Sequence, residues 1–140
     1  MSYVPMPTND DNVIDSRDVI ARIEILEAEI EALKEKLGDD PDTAGKADEI
    51  YELADAEEEL SKLQELAEEA SSAADWTIGE TLIRDSYFED YARELASDIG
   101  AINEDAGWPS SFIDWEAAAE ALQMGYWTVD FDGVQYWIRP

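Results

Sequence analysis

The sequence predicts an α+β fold: an N-terminal antiparallel helical hairpin of coiled-coil character, followed by a small helix-helix-β-hairpin module. Three observations carry the prediction. Two long segments space their apolar residues alternately four and three apart, the a/d seam of paired helices. Asp132-Gly133 separates two runs of alternating apolar residues, a type I′ hairpin signal. The aromatic residues change density near residues 73–76: twelve of the 14 lie in 76–140, all five Trp among them. That shift divides the chain into a flexible lead (1–14), an acidic helical hairpin (15–72) and an α+β module (76–140).

The lead carries Pro5, Pro7 and a polar Thr-Asn-Asp-Asp-Asn tract, and no apolar pattern. The first helix is expected from Asp15 or Ser16 to Leu37, with Val19, Ile23, Leu26, Ile30, Leu33 and Leu37 as its seam. Gly38 and Pro41 end it. The second helix runs from about Lys46 to Ala70, with Leu53, Ala56, Leu60, Leu63, Ala67 and Ala70 at the same spacing. The short loop between them favours an antiparallel pair. Two helices alone bury little, so their seam must recruit a second copy or the C-terminal module. Ser71 to Asp75 reads as a hinge, and Trp76 to Arg84 as an extra strand beside the terminal hairpin. Ser86 and Glu89 have capping-box spacing ahead of Phe88, Tyr91, Ala92, Leu95 and Ile99, and Gly100 supplies the stop. Residues 101–113 are expected to form an ordered loop pinned by Trp108. Asp114 caps a further helix that ends at Gly125. In the terminal hairpin a two-residue turn pairs Phe131 with Val134, Val129 with Tyr136 and Trp127 with Ile138. These six side chains form one apolar face, with the two preceding helices as its expected cover.

Charge dominates the composition: 36 acidic residues against 9 basic, a net charge of −27. Both parts of the chain share it, with −17 in residues 1–75 and −10 in residues 76–140. There is no Cys and no His, which removes the thiol nucleophile and the commonest general base and transition-metal ligand. No apolar run is long enough to span a membrane. The N-terminus has neither the basic flank nor the apolar core of a secretory signal, so a soluble, intracellular protein is expected.

Glu24, Glu27, Glu31 and Glu35 stack at helical spacing, and Asp48, Glu52, Asp55 and Glu59 do the same on the second helix. Like charges one turn apart cost roughly 0.2–0.5 kcal/mol per pair. A solvated face explains most charge runs, but solubility needs a net charge of only about 2–8 at this size. An excess this large carries self-repulsion and points to a polyanion-like surface. Duplex DNA carries one charge per ~1.7 Å, so the net charge of this chain equals that of roughly 46 Å of duplex. Carboxylate pairs such as Glu57-Glu58-Glu59 and Asp130/Asp132 are expected by chance in so acidic a chain, and no catalytic residue is assigned. Asp39-Asp40-Pro41-Asp42 and Asp130-Phe131-Asp132-Gly133 lack the spacing of a calcium loop, so no metal site and no cofactor are expected.

Residues 86–139 carry a family resemblance. The tracts Tyr87-Phe-Glu-Asp-Tyr-Ala-Arg-Glu-Leu-Ala-Ser-Asp-Ile-Gly100, Trp108-Pro109, Ile113-Asp-Trp-Glu-Ala-Ala-Ala-Glu-Ala-Leu122 and Val129-Asp-Phe-Asp-Gly-Val-Gln-Tyr-Trp137 resemble the C-terminal region of ArdA-type antirestriction proteins. The family is carried by plasmids and phages. Its members are acidic, elongated, often dimeric DNA mimics that occupy the DNA site of type I restriction-modification enzymes. The resemblance covers under half of this chain, and a helical hairpin stands where the family's upstream domains are expected.

Charge and resemblance together imply a non-enzymatic, DNA-mimicking inhibitor of a host restriction or CRISPR protein, acting in the bacterial cytoplasm. It is expected to be a homodimer that binds neither nucleic acid nor membrane. The residues expected to meet the partner are Glu24, Glu27, Glu31, Glu35, Glu52, Asp55 and Glu59 on the hairpin. On the module they are Glu89, Asp90, Glu94, Asp98, Glu104 and Asp105. The alternative is an acidic coiled-coil adaptor. One continuous carboxylate ridge favours mimicry; acids on all faces beside an exposed apolar groove favour the adaptor.

Overall fold

The computed structural model describes residues 5–38, 46–103, 105 and 107–140. Strand β1 (Val13–Asp15) leads directly into helix α1 (Ser16–Leu37), which is followed by α2 (Ala47–Ala70). Strand β2 (Thr81–Arg84), helices α3 (Phe88–Asp98) and α4 (Trp115–Gln123), and strands β3 (Trp127–Phe131) and β4 (Val134–Ile138) complete the order. The four strands form one antiparallel sheet, ordered β1-β2-β4-β3. The fold is thus α+β with two long N-terminal helices, as the heptad spacing predicts.

Local chemistry explains most element ends. The Asp15 carboxylate accepts the Arg17 N–H at 2.8 Å and caps α1. Gly38 ends α1 with φ 61°, its N–H on the Lys34 carbonyl at 2.9 Å. Asp114 caps α4 by accepting the Ala117 N–H at 3.1 Å. Asp132 and Gly133 take φ 51° and 82°, the two positive values a type I′ turn requires. The hairpin register pairs Phe131 with Val134, Val129 with Tyr136 and Trp127 with Ile138, as the turn dictates. The Ser86–Glu89 capping box does not form. Ser86 lies in a short 3₁₀ turn (Asp85–Tyr87), and α3 begins after Tyr87 without a side-chain cap. The Ser86 hydroxyl instead accepts from the Arg84 guanidinium, which the Asn9 carbonyl holds in place at 2.9 Å.

The sheet is covered on both faces, and the layers differ from those expected. Val129, Phe131, Tyr136 and Ile138 join Ile14 and Leu82 in one core with Val19, Leu26, Leu63, Leu66 and Ala70 of the helical hairpin. The α1–α2 seam therefore recruits the C-terminal sheet, and α3 and α4 do not take that face. They cover the opposite one, where Ile83, Phe88, Ala92 and Ala119 pack with Tyr126 and Trp137. The Phe88 ring sits 5.3 Å from Tyr126 and 5.8 Å from Trp137. The physical reason is area: two long leucine-rich helices offer a wide apolar stripe, whereas the opposite sheet face presents few large apolar side chains and suits two short helices.

Segments expected to be mobile or separate are built into this core. Ala73, in the expected hinge, and Trp76, at the start of the expected strand, are buried with the hairpin and the sheet. Buried Ser16 fixes the same stretch: its hydroxyl donates to the Trp76 carbonyl and accepts the Glu80 N–H, both at 2.7 Å. Residues 8–12 of the expected flexible lead lie along the sheet. Arg84 N–H donates to the Asn12 carbonyl at 2.8 Å, and Asn9 donates its side-chain N–H to the Asp132 carbonyl at 3.0 Å. Only Thr81 to Arg84 of the expected strand pairs; residues 76–78 are turn and 79–80 irregular. Trp108 pins nothing, because it is 73% exposed. No helix among the described residues is long and apolar enough to cross a membrane.

Candidate functional site

The antiparallel seam decides where the hairpin's carboxylates go. On α1, the exposed Glu24, Glu27, Glu31 and Glu35 run along one flank. Glu27, Glu31 and Glu35 wall a groove of about 580 Å³ with Ile30, Lys34 and Leu60. On α2, Glu52, Asp55 and Glu59 face a different groove of about 540 Å³, which Arg22, Leu26, Glu29, Ala32, Leu33, Lys36 and Ala56 also line. The two grooves share no residue; the seam runs between them. Two of the expected rows therefore lie on opposite sides of the hairpin. The module's acids lie farther off: Glu89, Asp90, Glu94 and Asp98 are exposed on α3, across the sheet from the hairpin. Asp105 is exposed in the loop after α3. Glu104 lies outside the described residues. The structure thus assembles two hairpin rows and an α3 patch, and not one continuous ridge.

Several of these acids are held by neighbours. Arg22 donates to both Glu59 oxygens, at 2.6 and 2.9 Å, and this bond raises the guanidinium's pKa above its ordinary value. The Tyr87 hydroxyl donates to Glu94 at 2.7 Å, which raises the phenol's pKa. Glu24, Glu27, Glu31 and Glu35 instead stand in the solvent.

The basic residues are largely consumed inside the molecule. Arg17 pairs with Asp15, Lys36 with Glu49, and Lys62 with both Glu58 and Asp132. Lys46 donates to the Leu37 carbonyl, and Arg84 to the Asn9 carbonyl. Arg93 stacks 5.4 Å over Trp115, and Arg139 lies 6.0 Å from the Tyr126 ring centre. Few cations remain to break up the exposed carboxylate rows.

A further cavity of about 240 Å³ lies where residues 7–9, α2 and the β3–β4 turn meet. Asp55, Glu58, Glu59 and Asp132 line it, above Leu63 and Phe131. Lys62 bridges it, 3.4 Å from Glu58 and 3.1 Å from Asp132. Glu58 and Lys62 are legible in sequence as an i,i+4 pair. Asp132 is not, because it is seventy residues away and arrives through the sheet. Among the described residues, no three acidic side chains converge as a metal site.

The architecture defines a class: an acidic, three-layered α+β protein with carboxylates on both outer layers. No known protein family, characterised protein or solved structure matches the chain.

Proposed function

We propose that the protein is a non-enzymatic inhibitor that occupies the DNA-binding site of a host defence protein, a restriction-modification enzyme or a CRISPR nuclease, in the bacterial cytoplasm. One observation carries the reading. The α1 row of Glu24, Glu27, Glu31 and Glu35 stands exposed along one flank of the hairpin, while nearly all the described cations are engaged internally. From Glu24 to Glu35 the α1 row covers about 16 Å of helix. One DNA strand displays about five phosphates over that distance. The row's four carboxylates approach that density. The resemblance of residues 86–139 to ArdA-type antirestriction proteins supports the same reading. Occupying the site requires no chemistry beyond charge, shape and counterion release.

The experiment is capture of partners from a bacterial lysate at low and high salt, followed by competition with duplex DNA. A partner that DNA displaces, and whose binding weakens steeply from ~50 to ~200 mM salt, is expected. A partner that holds this protein and DNA at once overturns the reading.

An acidic adaptor is the second reading, favoured by the placement of the acids on opposite sides of the hairpin beside apolar-floored grooves. Such a protein binds its partner without competing with DNA. Under either reading we propose a homodimer. The large apolar side chains it would cover are Ile99, Trp108 and Phe112 in the segment that joins α3 to α4, which are 69%, 73% and 78% exposed. Sedimentation at tens of micromolar protein tests it, and a monomer at all salt concentrations ends it.

A further inference from the structure

We propose that the groove on the Arg22 side of the hairpin receives a basic amphipathic helix of the partner. The proposal rests on the DNA-site reading, because many DNA-binding proteins present a basic helix to the major groove. It goes further by naming the element that docks and the place where it docks.

Shape is the first argument. Leu26, Leu33 and Ala56 floor a groove of about 540 Å³ between α1 and α2. Along α2 the lining extends to the adjoining cavity, which shares Asp55 and Glu59 with the groove and continues the apolar floor through Leu63 and Phe131. From Glu52 to Leu63 this cleft covers about 16 Å of helix axis, or three turns. An apolar stripe repeating at i, i+3, i+4 and i+7 matches such a floor, and a third helix against an antiparallel pair completes a bundle.

Charge is the second argument, and it selects the occupant. Glu29, Glu52 and Asp55 rim the groove, and Glu58 and Asp132 rim the cavity. The cations in the cleft are already engaged: Arg22 with Glu59, Lys36 with Glu49, and Lys62 with Glu58 and Asp132. An incoming helix therefore meets a negative rim over an apolar floor and needs the complementary surface, a leucine-like stripe flanked by Arg and Lys. A second copy of this chain fits poorly, because it brings the same acidic rims and a net charge of −27.

The test uses the full chain and two labelled peptides of about 18 residues, roughly 27 Å as helices. One places Leu at helical spacing among Arg and Lys; the other has the same composition with the leucines scattered. Fluorescence anisotropy at about 150 mM salt screens the contribution of charge alone. The patterned peptide is expected to bind at least about tenfold tighter than its isomer. Ala32→Trp, which fills the groove from an exposed position without changing charge, is expected to remove that preference. The pair Glu116→Gln and Glu120→Gln, exposed on α4 across the sheet, is expected to leave it. Equal binding of the isomers overturns the proposal, as does an unchanged preference in Ala32→Trp. A dimer of the chain alone that dissociates on Ala32→Trp assigns the groove to a second copy and overturns it too. Competition with duplex DNA is read separately. A patterned-peptide preference without such competition keeps the groove and ends the DNA-site reading; equal isomer binding with competition intact does the reverse.

Discussion

Ser16 has no exposed surface, and its hydroxyl ties the start of α1 to residues 76–80 on the far side of the hairpin. Removing it leaves a buried carbonyl and a buried N–H without their partner, which costs about 1–3 kcal/mol. Ser16→Ala is therefore expected to lower the unfolding free energy by that amount, read as a lower urea midpoint at an unchanged m-value. A change below about 0.5 kcal/mol speaks against the bridge. Titration gives a second prediction at this scale. Burial pushes the Tyr136 hydroxyl up to about 12 from its usual 10.0. A folded value above the unfolded one means that the stabilisation is complete below pH 10 and is lost as pH rises towards 12. Tyr136→Phe removes the titrating group, so its variant should show a shallower alkaline loss in denaturation curves than the parent. Asp15 acts at the other end. The hydrogen bond from Arg17 holds its carboxyl below the usual 3.8, so its contribution exists above that pH and fades as pH falls through the lower folded value.

At the scale of elements, burial along the hairpin is graded. Leu63 and Leu66 are fully buried against the sheet, while Ile50 and Tyr51, near the distal end, are exposed. Leu66→Ala is expected to cost about 2–5 kcal/mol, and Ile50→Ala under about 1 kcal/mol. Equal costs at the two positions would contradict the observed docking of the hairpin on the sheet. The β3–β4 turn gives an independent check. Gly133 has φ 82°, and a Cβ there meets no atom within 4 Å, so the penalty for Gly133→Ala is conformational, about 1–2 kcal/mol. These elements were legible in the sequence because each is specified by nearby residues: heptad spacing, the Asp114 cap, the Asp132-Gly133 turn. The capping box failed for a nonlocal reason. Arg84, fixed by the Asn9 carbonyl, takes the Ser86 hydroxyl that the local pattern assigned to α3.

For the whole molecule, the net charge of −27 acts on stability and on binding with opposite sign. Salt screens self-repulsion and should raise the melting temperature as ionic strength increases from about 20 to 200 mM. The same salt should weaken attraction to a basic partner. Replacing Glu24, Glu27, Glu31 and Glu35 together by Gln tests both. The variant should be at least as stable as the parent at low salt and should bind the captured partner more weakly, with a shallower salt dependence. A variant that loses stability and keeps full affinity contradicts this assignment of the row.

The sequence by itself determined the two long helices, the C-terminal strands with their turn and register, and the acidity of every exposed row, since each follows from local spacing or composition. Only the tertiary structure decided which face covered which. The sheet's apolar face could accept either helix pair, and the larger seam of α1 and α2 took it, leaving α3 and α4 to pack with Ile83, Tyr126 and Trp137. That choice separated the acids into rows on opposite sides of the hairpin and a patch across the sheet. It also brought Asp132 beside Glu58 and Lys62. Periodicity fixes the face of a helix on which a carboxylate sits. It holds no information about which neighbour that face will meet, because packing is settled by the area and shape of apolar surfaces far apart in the chain.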